Sequence, residues 1–303
     1  MDSMTPLRLL AVSLSLLAAA CTGPRSILHS PEATPRGDWR IGGGMDVNFP
    51  TQTSKALYGG LEGGVDLLYE KFKGSDSIIP ITADSLNDLT RALIAYSIDP
   101  LGAQPSLYVR YGAWERMDAG YRFAGGVHAF DVRYQFLGHY AGKEGGGARD
   151  WRGSLAVQYS SQSYELPSLL GKLQSILKYE FKRKDILIPL IFGKPIGADG
   201  RYGNFGIGAA YNLALIEYDS KILKLVEKVD SGAVRPFEDL RGDRSVHSFG
   251  GFANARLGYR HVYALASMAL YNQDYGTFKL FGGERTKLAG WTLMPSLGLE
   301  FLF

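Results

Sequence analysis

The sequence predicts an all-β fold: a closed antiparallel transmembrane β-barrel of about ten strands, with short amphipathic helices in the connections at one end. Three observations predict it. Apolar residues alternate with polar or small ones along nine of ten candidate stretches, which is how a strand sorts its side chains between two faces. Glycine (38 of 303 residues) and tyrosine (18) are abundant, and lumen-facing glycine lets tilted strands bend and coil in a narrow barrel. Long and short connections take turns along the chain, the asymmetry that bilayer barrels show between their two ends.

Composition removes other classes. Hydrophobic residues make up 46% and aromatic residues 12% of the chain, with a single cysteine, which rules out a disordered chain, a disulfide scaffold and a cysteine zinc site. Lys plus Arg is 33 against 30 Asp plus Glu, a net charge of +3; this leaves no nucleic-acid footprint, and no nucleic-acid partner is expected. Beyond the N-terminus the longest unbroken apolar run is residues 186–192, far short of the ~18 residues of a membrane helix.

The N-terminus reads as an address. Residues 9–20 form an apolar segment preceded by Arg8 and followed directly by the only cysteine, in Leu17-Ala18-Ala19-Ala20-Cys21. At about 1.5 Å per residue the segment covers ~18 Å of a ~30 Å hydrocarbon core, so it is not a spanning anchor. It resembles a bacterial lipoprotein signal. The resemblance implies removal of residues 1–20, acylation of Cys21 and, because Thr22 rather than Asp follows, residence in the outer membrane. An ordinary secretory peptide with a coincidental cysteine is the alternative. Residues 21–38 hold three prolines and no alternation. They are expected to form a tether, leaving a lipid-anchored N-terminus on the periplasmic side.

The strands follow in order. Ile41, Met45, Val47 and Phe49 alternate with Arg40, Gly42, Gly44, Asp46 and Asn48. Leu107, Val109 and Tyr111 alternate with Tyr108, Arg110 and Gly112, then Ala119, Tyr121 and Phe123 with Asp118, Gly120 and Arg122. Phe130, Val132, Tyr134 and Phe136 oppose Asp131, Arg133 and Gln135, and Trp151, Leu155, Val157 and Tyr159 oppose Arg152, Ser154, Ala156 and Gln158. Phe205, Ile207, Ala209, Tyr211, Leu213 and Leu215 oppose Asn204, Gly206, Gly208, Ala210 and Asn212; Ala253, Ala255, Leu257 and Tyr259 oppose Phe252, Asn254, Arg256 and Gly258. Residues 185–193, apolar on both faces, and 262–273 form two weaker strands. The last strand sets Trp291, Leu293, Pro295, Leu297, Leu299, Phe301 and Phe303 against Thr292, Ser296, Gly298 and Glu300. The total is even, as a single-chain bacterial barrel with both termini at one end requires.

This C-terminal strand, with Phe303 last and Phe301 two before it, resembles the recognition signal of outer-membrane barrels. The resemblance implies the barrel-assembly machinery and outer-membrane lipids as partners. Residues 107–137 contain Arg110-Tyr111-Gly112, Arg116-Met117-Asp118 and Asp131-Val132-Arg133-Tyr134-Gln135-Phe136. They resemble a repeated hairpin pattern of uncharacterised outer-membrane barrel proteins, which implies a fold and no activity.

If the first strand runs outward, the exterior connections are 50–104, Gly125-Gly126, 162–184, 217–246 and 282–290. The periplasmic ones are then Trp114-Glu115-Arg116, 138–150, 194–203 and Arg260-His261. Helical spacing joins Leu166, Leu169, Leu170, Leu173 and Leu177, and likewise Ile222, Leu225, Val226 and Val229. Leu86, Leu89 and Leu93 follow an Asp84-Ser85 start suited to an N-cap. Helices are therefore expected near 54–99, 163–182 and 220–240. If Leu57, Leu61, Val65, Leu68 and Phe72 form a strand pair instead, the strand count becomes eleven or twelve. The helices either pack on each other as a lid or line a pocket for a hydrophobic compound.

The same register sends Arg40, Asp46, Arg110, Asp118, Arg122, Asp131, Arg133, Arg152, Arg256 and Glu300 into the lumen. A hairpin at Gly125-Gly126 places Asp118 opposite Arg133 and Asp131 diagonal to Arg122, so an Asp118–Arg133 contact is expected. The set is either a structural ion network in a closed interior or an anion-favouring constriction. For catalysis, Asp185, Asp219 and His247 lie near the outer ends of three consecutive strands, where barrel surface proteases keep their carboxylates and His, and a His held by an Asp could activate water. His128 falls on the lipid-facing parity and His139 in a loop. No HExxH, GxSxG, P-loop or dinucleotide fingerprint is present, and neither cofactor nor metal is expected. The function expected is an outer-membrane barrel lipoprotein that binds or passes small hydrophobic molecules. A structural or surface-interaction barrel with a plugged lumen is the alternative, and a surface hydrolase the third reading.

Overall fold

The computed structural model describes residues 24–60, 79–81, 83–140, 150–165, 177–197, 200, 202–222, 225–228, 234–236, 240–280 and 284–303. Cys21 and the signal lie outside them, as do Leu61 to Phe72 of the alternative strand pair and most of the Leu166 to Leu177 stripe.

Ten antiparallel strands close on themselves, so the wall has no free edge. They are β1 (Trp39–Pro50), β3 (Gly102–Trp114), β4 (Met117–Ala124), β5 (Val127–Leu137), β6 (Arg152–Glu165), β7 (Leu177–Pro195), β8 (Gly203–Ile222), β11 (Leu240–Tyr259), β12 (Val262–Lys279) and β13 (Arg285–Leu302), in the circular order β1-β13-β12-β11-β8-β7-β6-β5-β4-β3. Each coincides with one of the ten predicted stretches, with Trp151 just before β6 and Phe303 just after β13. A small separate sheet joins β2 (Ile79–Ile81), β9 (Leu225–Lys228) and β10 (Val234–Pro236). Helices α1 (Thr51–Gly60) and α2 (Ala83–Ile98) fall where the 54–99 insert was expected to be helical.

Both ends of the barrel chain meet. Trp39 N–H donates to the Phe303 carbonyl at 3.0 Å and Phe303 N–H returns the bond at 3.0 Å. Two-residue turns at this terminal end carry positive φ at Arg116 (64°) and Arg260 (56°). At the opposite, far end the β4–β5 hairpin turns through Gly125 (φ 55°) and Gly126 (φ 86°), the left-handed pair that a two-residue hairpin loop needs. That turn fixes the register, and Asp118 pairs with Arg133 across it.

Several strands are longer than their apolar patterns. On β8 the outward residues Phe205, Ile207, Leu213 and Leu215 give way to Glu217 and Asp219, while the inward residues change from Asn204, Gly206 and Asn212 to buried Ile216 and Tyr218. On β7, Ile186, Ile188 and Leu190 face outward near the terminal end; nearer the far end Lys182 and Lys184 face outward and buried Phe181 inward. The two-residue period runs through unbroken, and its polarity inverts. β7, β8, β11, β12 and β13 thus rise above the apolar belt as a collar, whereas β4, at 8 residues, stops with it.

The described parts of the helices expected at 163–182 and 220–240 are strands: residues 163–165 lie in β6, 177–182 in β7, 225–228 in β9, and 220–222, 234–236 and 240 in β8, β10 and β11; most of the first leucine stripe, and Val229 of the second, lie outside the described residues. The reason is pairing. The β8–β11 ladder continues from Gly203–Leu257 to Ser220–Leu240, and satisfying that many backbone groups outweighs a leucine spacing that fits a helix equally well. The count of ten, not twelve, closes the barrel.

The expected tether is also corrected. Residues 24–34 run inside the barrel, and nearly all of them are buried. A narrow lumen lined with charge offers a polar, proline-interrupted segment more partners than the aqueous phase does. Gly112 marks where this strap passes the wall, since a Cβ there would meet the Pro35 carbonyl oxygen at 1.9 Å.

Candidate functional site

The site is the lumen with the strap in it. All ten residues assigned inward by sequence parity do face inward, nine of them buried and Arg152 half-buried. Arg110 pairs with both Asp118 and Asp131. Arg133 closes on Asp118 from the neighbouring strand, with Nε at 3.2 Å from Oδ1. Asp131 therefore goes to Arg110, and its diagonal neighbour Arg122 instead binds Asp46 at 2.5 Å. Further round the wall Arg256 meets Glu300 at 2.5 Å and lies 3.3 Å from the Tyr263 ring centroid, while the Tyr108 hydroxyl donates to Glu300 at 2.8 Å. Arg152 pairs with Glu32 of the strap. Arg40 donates to the Glu32 carbonyl at 3.5 Å.

The strap is held along its length by side chains of the wall. The Gln158 amide donates to the Pro24 carbonyl at 2.6 Å and the Tyr271 hydroxyl to that of Arg25 at 2.8 Å. Arg122 donates to the Ser26 carbonyl at 2.9 Å, and the Ser26 hydroxyl donates to Asp46 at 2.7 Å. Asn254 serves the carbonyls of Ile27 and His29 at 3.1 and 2.8 Å, and Arg133 that of Ser30. Ala33 N–H donates to Gln135 at 3.0 Å and Thr34 N–H to Asp118 at 2.6 Å. Between these anchors Ile27 enters an apolar cluster with Leu187, Ile191, Phe252, Tyr271 and Met294. Burying one such side chain contributes about 1.5–3 kcal/mol.

A second ion cluster sits at the far end. Arg25 binds Asp99 at 2.5 Å, and Asp99 also accepts from Asn48 at 2.6 Å and from the Thr292 hydroxyl at 2.7 Å. Burial works to raise the Asp99 carboxyl, but Arg25, then Asn48, Arg183 and Thr292, hold it below the ordinary carboxylate range. Arg183 binds Asp185 at 2.7 Å and donates to the Ile98 carbonyl at the end of α2. Ala92, Ile94, Ala95 and Ile98 of α2 are buried; the helix packs on α1, and its C-terminal end reaches the wall at the far mouth through the Arg183–Ile98 bond. Sequence reasoning missed Arg25, Glu32, Asp99 and Arg183. Arg183 lay on the strand's inward parity and could have been found; Arg25 and Asp99 lie in loops with no period to read.

The catalytic candidates do not assemble. Asp185 is inside the barrel and paired with Arg183, whereas His247 and Asp219 are on the outer surface, where Asp219 binds Arg241 at 2.7 Å and His247 Nδ1 lies 2.6 Å from the Tyr211 hydroxyl. The barrel wall separates them because Asp185 and His247 have opposite parity. His128 is outward, 2.7 Å from the Tyr121 hydroxyl, and His139 meets Asp150 at 3.3 Å in the terminal-end connection. Phe301 and Phe303 face outward at the terminal end. Among the described residues no group of three or more His, Cys, Asp or Glu could hold a metal. A cleft of about 230 Å³ at the far rim lies between α1, α2 and β13. Two of its three cations are already paired, Arg91 with Asp88 at 3.1 Å and Lys287 with Asp274 at 3.0 Å.

No protein-family model matches the chain, and no curated protein matches it. Among solved structures it is similar to the attachment invasion locus protein Ail of Yersinia pestis, at 11% identity over 88% of this chain and 99% of that chain, with a TM-score of 0.30. The N-terminal β-barrel domain of Pseudomonas aeruginosa OprF shares 8% identity over 88% and 98%, with a TM-score of 0.26. The translocator domain of the autotransporter NalP from Neisseria meningitidis shares 10% over 97% and 95%, with a TM-score of 0.31.

Proposed function

We propose that this chain is a bacterial outer-membrane barrel closed to solutes by its own N-terminal strap, so that its task is a surface interaction made at its collar. The observation that carries the reading is the strap, held at successive backbone groups on the axis that any solute would need. The apolar outward belt supports a bilayer setting. The end where the termini and tight turns lie is then periplasmic, and the collar stands outside. Acylation of Cys21, and recognition of Phe301 and Phe303 by the assembly machinery, belong to the same reading. Passage of small hydrophobic molecules, the reading first suggested by the sequence, would require the strap to leave.

Planar-bilayer conductance tests this. The wild type is expected to be silent. Deletion of residues 24–36 should produce a conductance that favours anions, because Arg110, 3.4 Å from the His29 ring, and Arg122 and Arg133, bound to the Ser26 and Ser30 carbonyls, lose these strap partners while keeping their charge. A wild type that conducts as well as the deletion would overturn the proposal.

A further inference from the structure

The strap has a direction. Arg25 and its Asp99 partner stand near the far mouth. Midway down, Ile27 sits in the apolar cluster. Lower still, Asn204, second residue of β8 at its terminal end, donates to the Ser30 hydroxyl at 2.8 Å. Gly37 N–H finally donates to the Gly112 carbonyl at 2.9 Å beside the periplasmic rim. The polypeptide therefore travels from the outer end inward before β1 turns it outward again.

The height of Arg25 can be read on β12. Outward residues of that strand are apolar through Met268 and Leu270 and polar from Asn272 and Asp274 onward. Tyr271, between the two sets, binds the Arg25 carbonyl at 2.8 Å. Arg25 is thus level with the outer margin of the apolar belt. The periplasmic margin lies on the order of 20–25 Å below, taking about 3.4 Å per residue from Tyr271 back to Val262 and a strand tilt of ~40°. That way back is filled by the strap, in a barrel only a little wider than side chains can fill.

We infer that the chain ahead of Pro24 leaves through the outer mouth, so that the processed N-terminus is presented on the cell surface; the inference rests on the orientation given under the proposed function. Residues 1–23 lie outside the described residues, and what sets the direction is their point of attachment, Pro24. Cys21 stands three residues away, a reach of about 10 Å. On that route an acyl group at Cys21 would be carried toward the outer leaflet and not the periplasmic one. This reverses the periplasmic anchoring that the signal sequence alone suggests.

The test is a short hydrophilic epitope inserted after Gly23, read with antibody on intact and on permeabilised cells. A second epitope, in the Glu115-Arg116 turn at the opposite end, serves as control, and heat-modifiable gel migration establishes that each barrel is folded. The strap epitope should bind fully on intact cells with no gain on permeabilisation, and the control only after permeabilisation. A folded barrel whose strap epitope binds only after permeabilisation, or in neither state, overturns the inference. If the control alone binds on intact cells, the orientation itself is wrong, which is a separate failure. Thr22→Cys with a membrane-impermeant maleimide gives the same readout without an insertion, and labelling only after permeabilisation overturns the inference equally.

Discussion

The two halves of β8 answer opposite solvents with one period. Near the terminal end Ile207 and Leu213 face outward and Asn204 and Asn212 inward; near the far end Glu217 and Asp219 face outward and Ile216 and Tyr218 inward. A strand alternates faces whatever surrounds it. On the membrane setting proposed above, what changes is the medium outside the wall, hydrocarbon in one half and water in the other. The interior of the membrane half must then gather polar groups that satisfy one another, as Arg110, Asp118, Asp131 and Arg133 do. In the collar the interior can be an ordinary apolar core of Phe181, Ile216, Val246 and Phe278, all at 1% exposure or less. Two kinds of interior in one barrel should fail in different ways.

The largest effect is expected in the charged interior. Asp118→Ala leaves Arg110 and Arg133 facing each other without their shared carboxylate, and breaking a buried pair from one side costs about 3–5 kcal/mol. The denaturant midpoint in lipid should fall accordingly. A loss under ~1 kcal/mol would mean that water fills the place of the carboxylate and that the interior is wetter than the contacts imply.

Next comes the outer surface, where the comparison can be broken directly. Leu297 lies in the middle of the apolar run of β13 and is 67% exposed. Leu297→Lys should cost about 2–4 kcal/mol if that face meets hydrocarbon. The reverse change in the collar, Glu217→Leu, should stay within about 0.5 kcal/mol. Equal effects at the two sites would remove the distinction between belt and collar.

A smaller effect belongs to the strap. Asn254 donates to the carbonyls of Ile27 and His29 at 3.1 and 2.8 Å. Asn254→Ala leaves both acceptors without that donor and should lower stability by about 1–3 kcal/mol, read from the denaturant midpoint. An unchanged midpoint would mean that this part of the strap contributes nothing to holding the barrel.

Much of the membrane half was legible because a lipid-facing strand declares itself, and the Gly125-Gly126 turn fixed Asp118 against Arg133. The collar was not. Apolar residues on the outward parity mark a strand only in the belt, and at Glu217 or Lys184 that pattern ends although the strand does not. Leu225 and Val226 fit a helical stripe as well as a strand, and only cross-strand pairing decides between them. The strap was hidden for a different reason. Pro24, Pro31 and Pro35 break any period, and the groups that hold Arg25 and Ser30 come from β12, β5 and β8, which no local reading can bring together.

The smallest effect concerns charge outside the wall. Lys287 and Asp274 pair at 3.0 Å across β13 and β12, but their side chains are 62% and 53% exposed. Water screens such a pair, and holding two side chains in one geometry costs entropy, so Lys287→Ala should change stability by about 0–1 kcal/mol. Set beside Asp118→Ala, the ratio tests the claim that position relative to the wall, not the presence of an ion pair, determines what a charge contributes. If Lys287→Ala proved as damaging as Asp118→Ala, the collar would be held together by its surface, and its apolar interior would have to be a lesser source of stability than its buried aromatic side chains require.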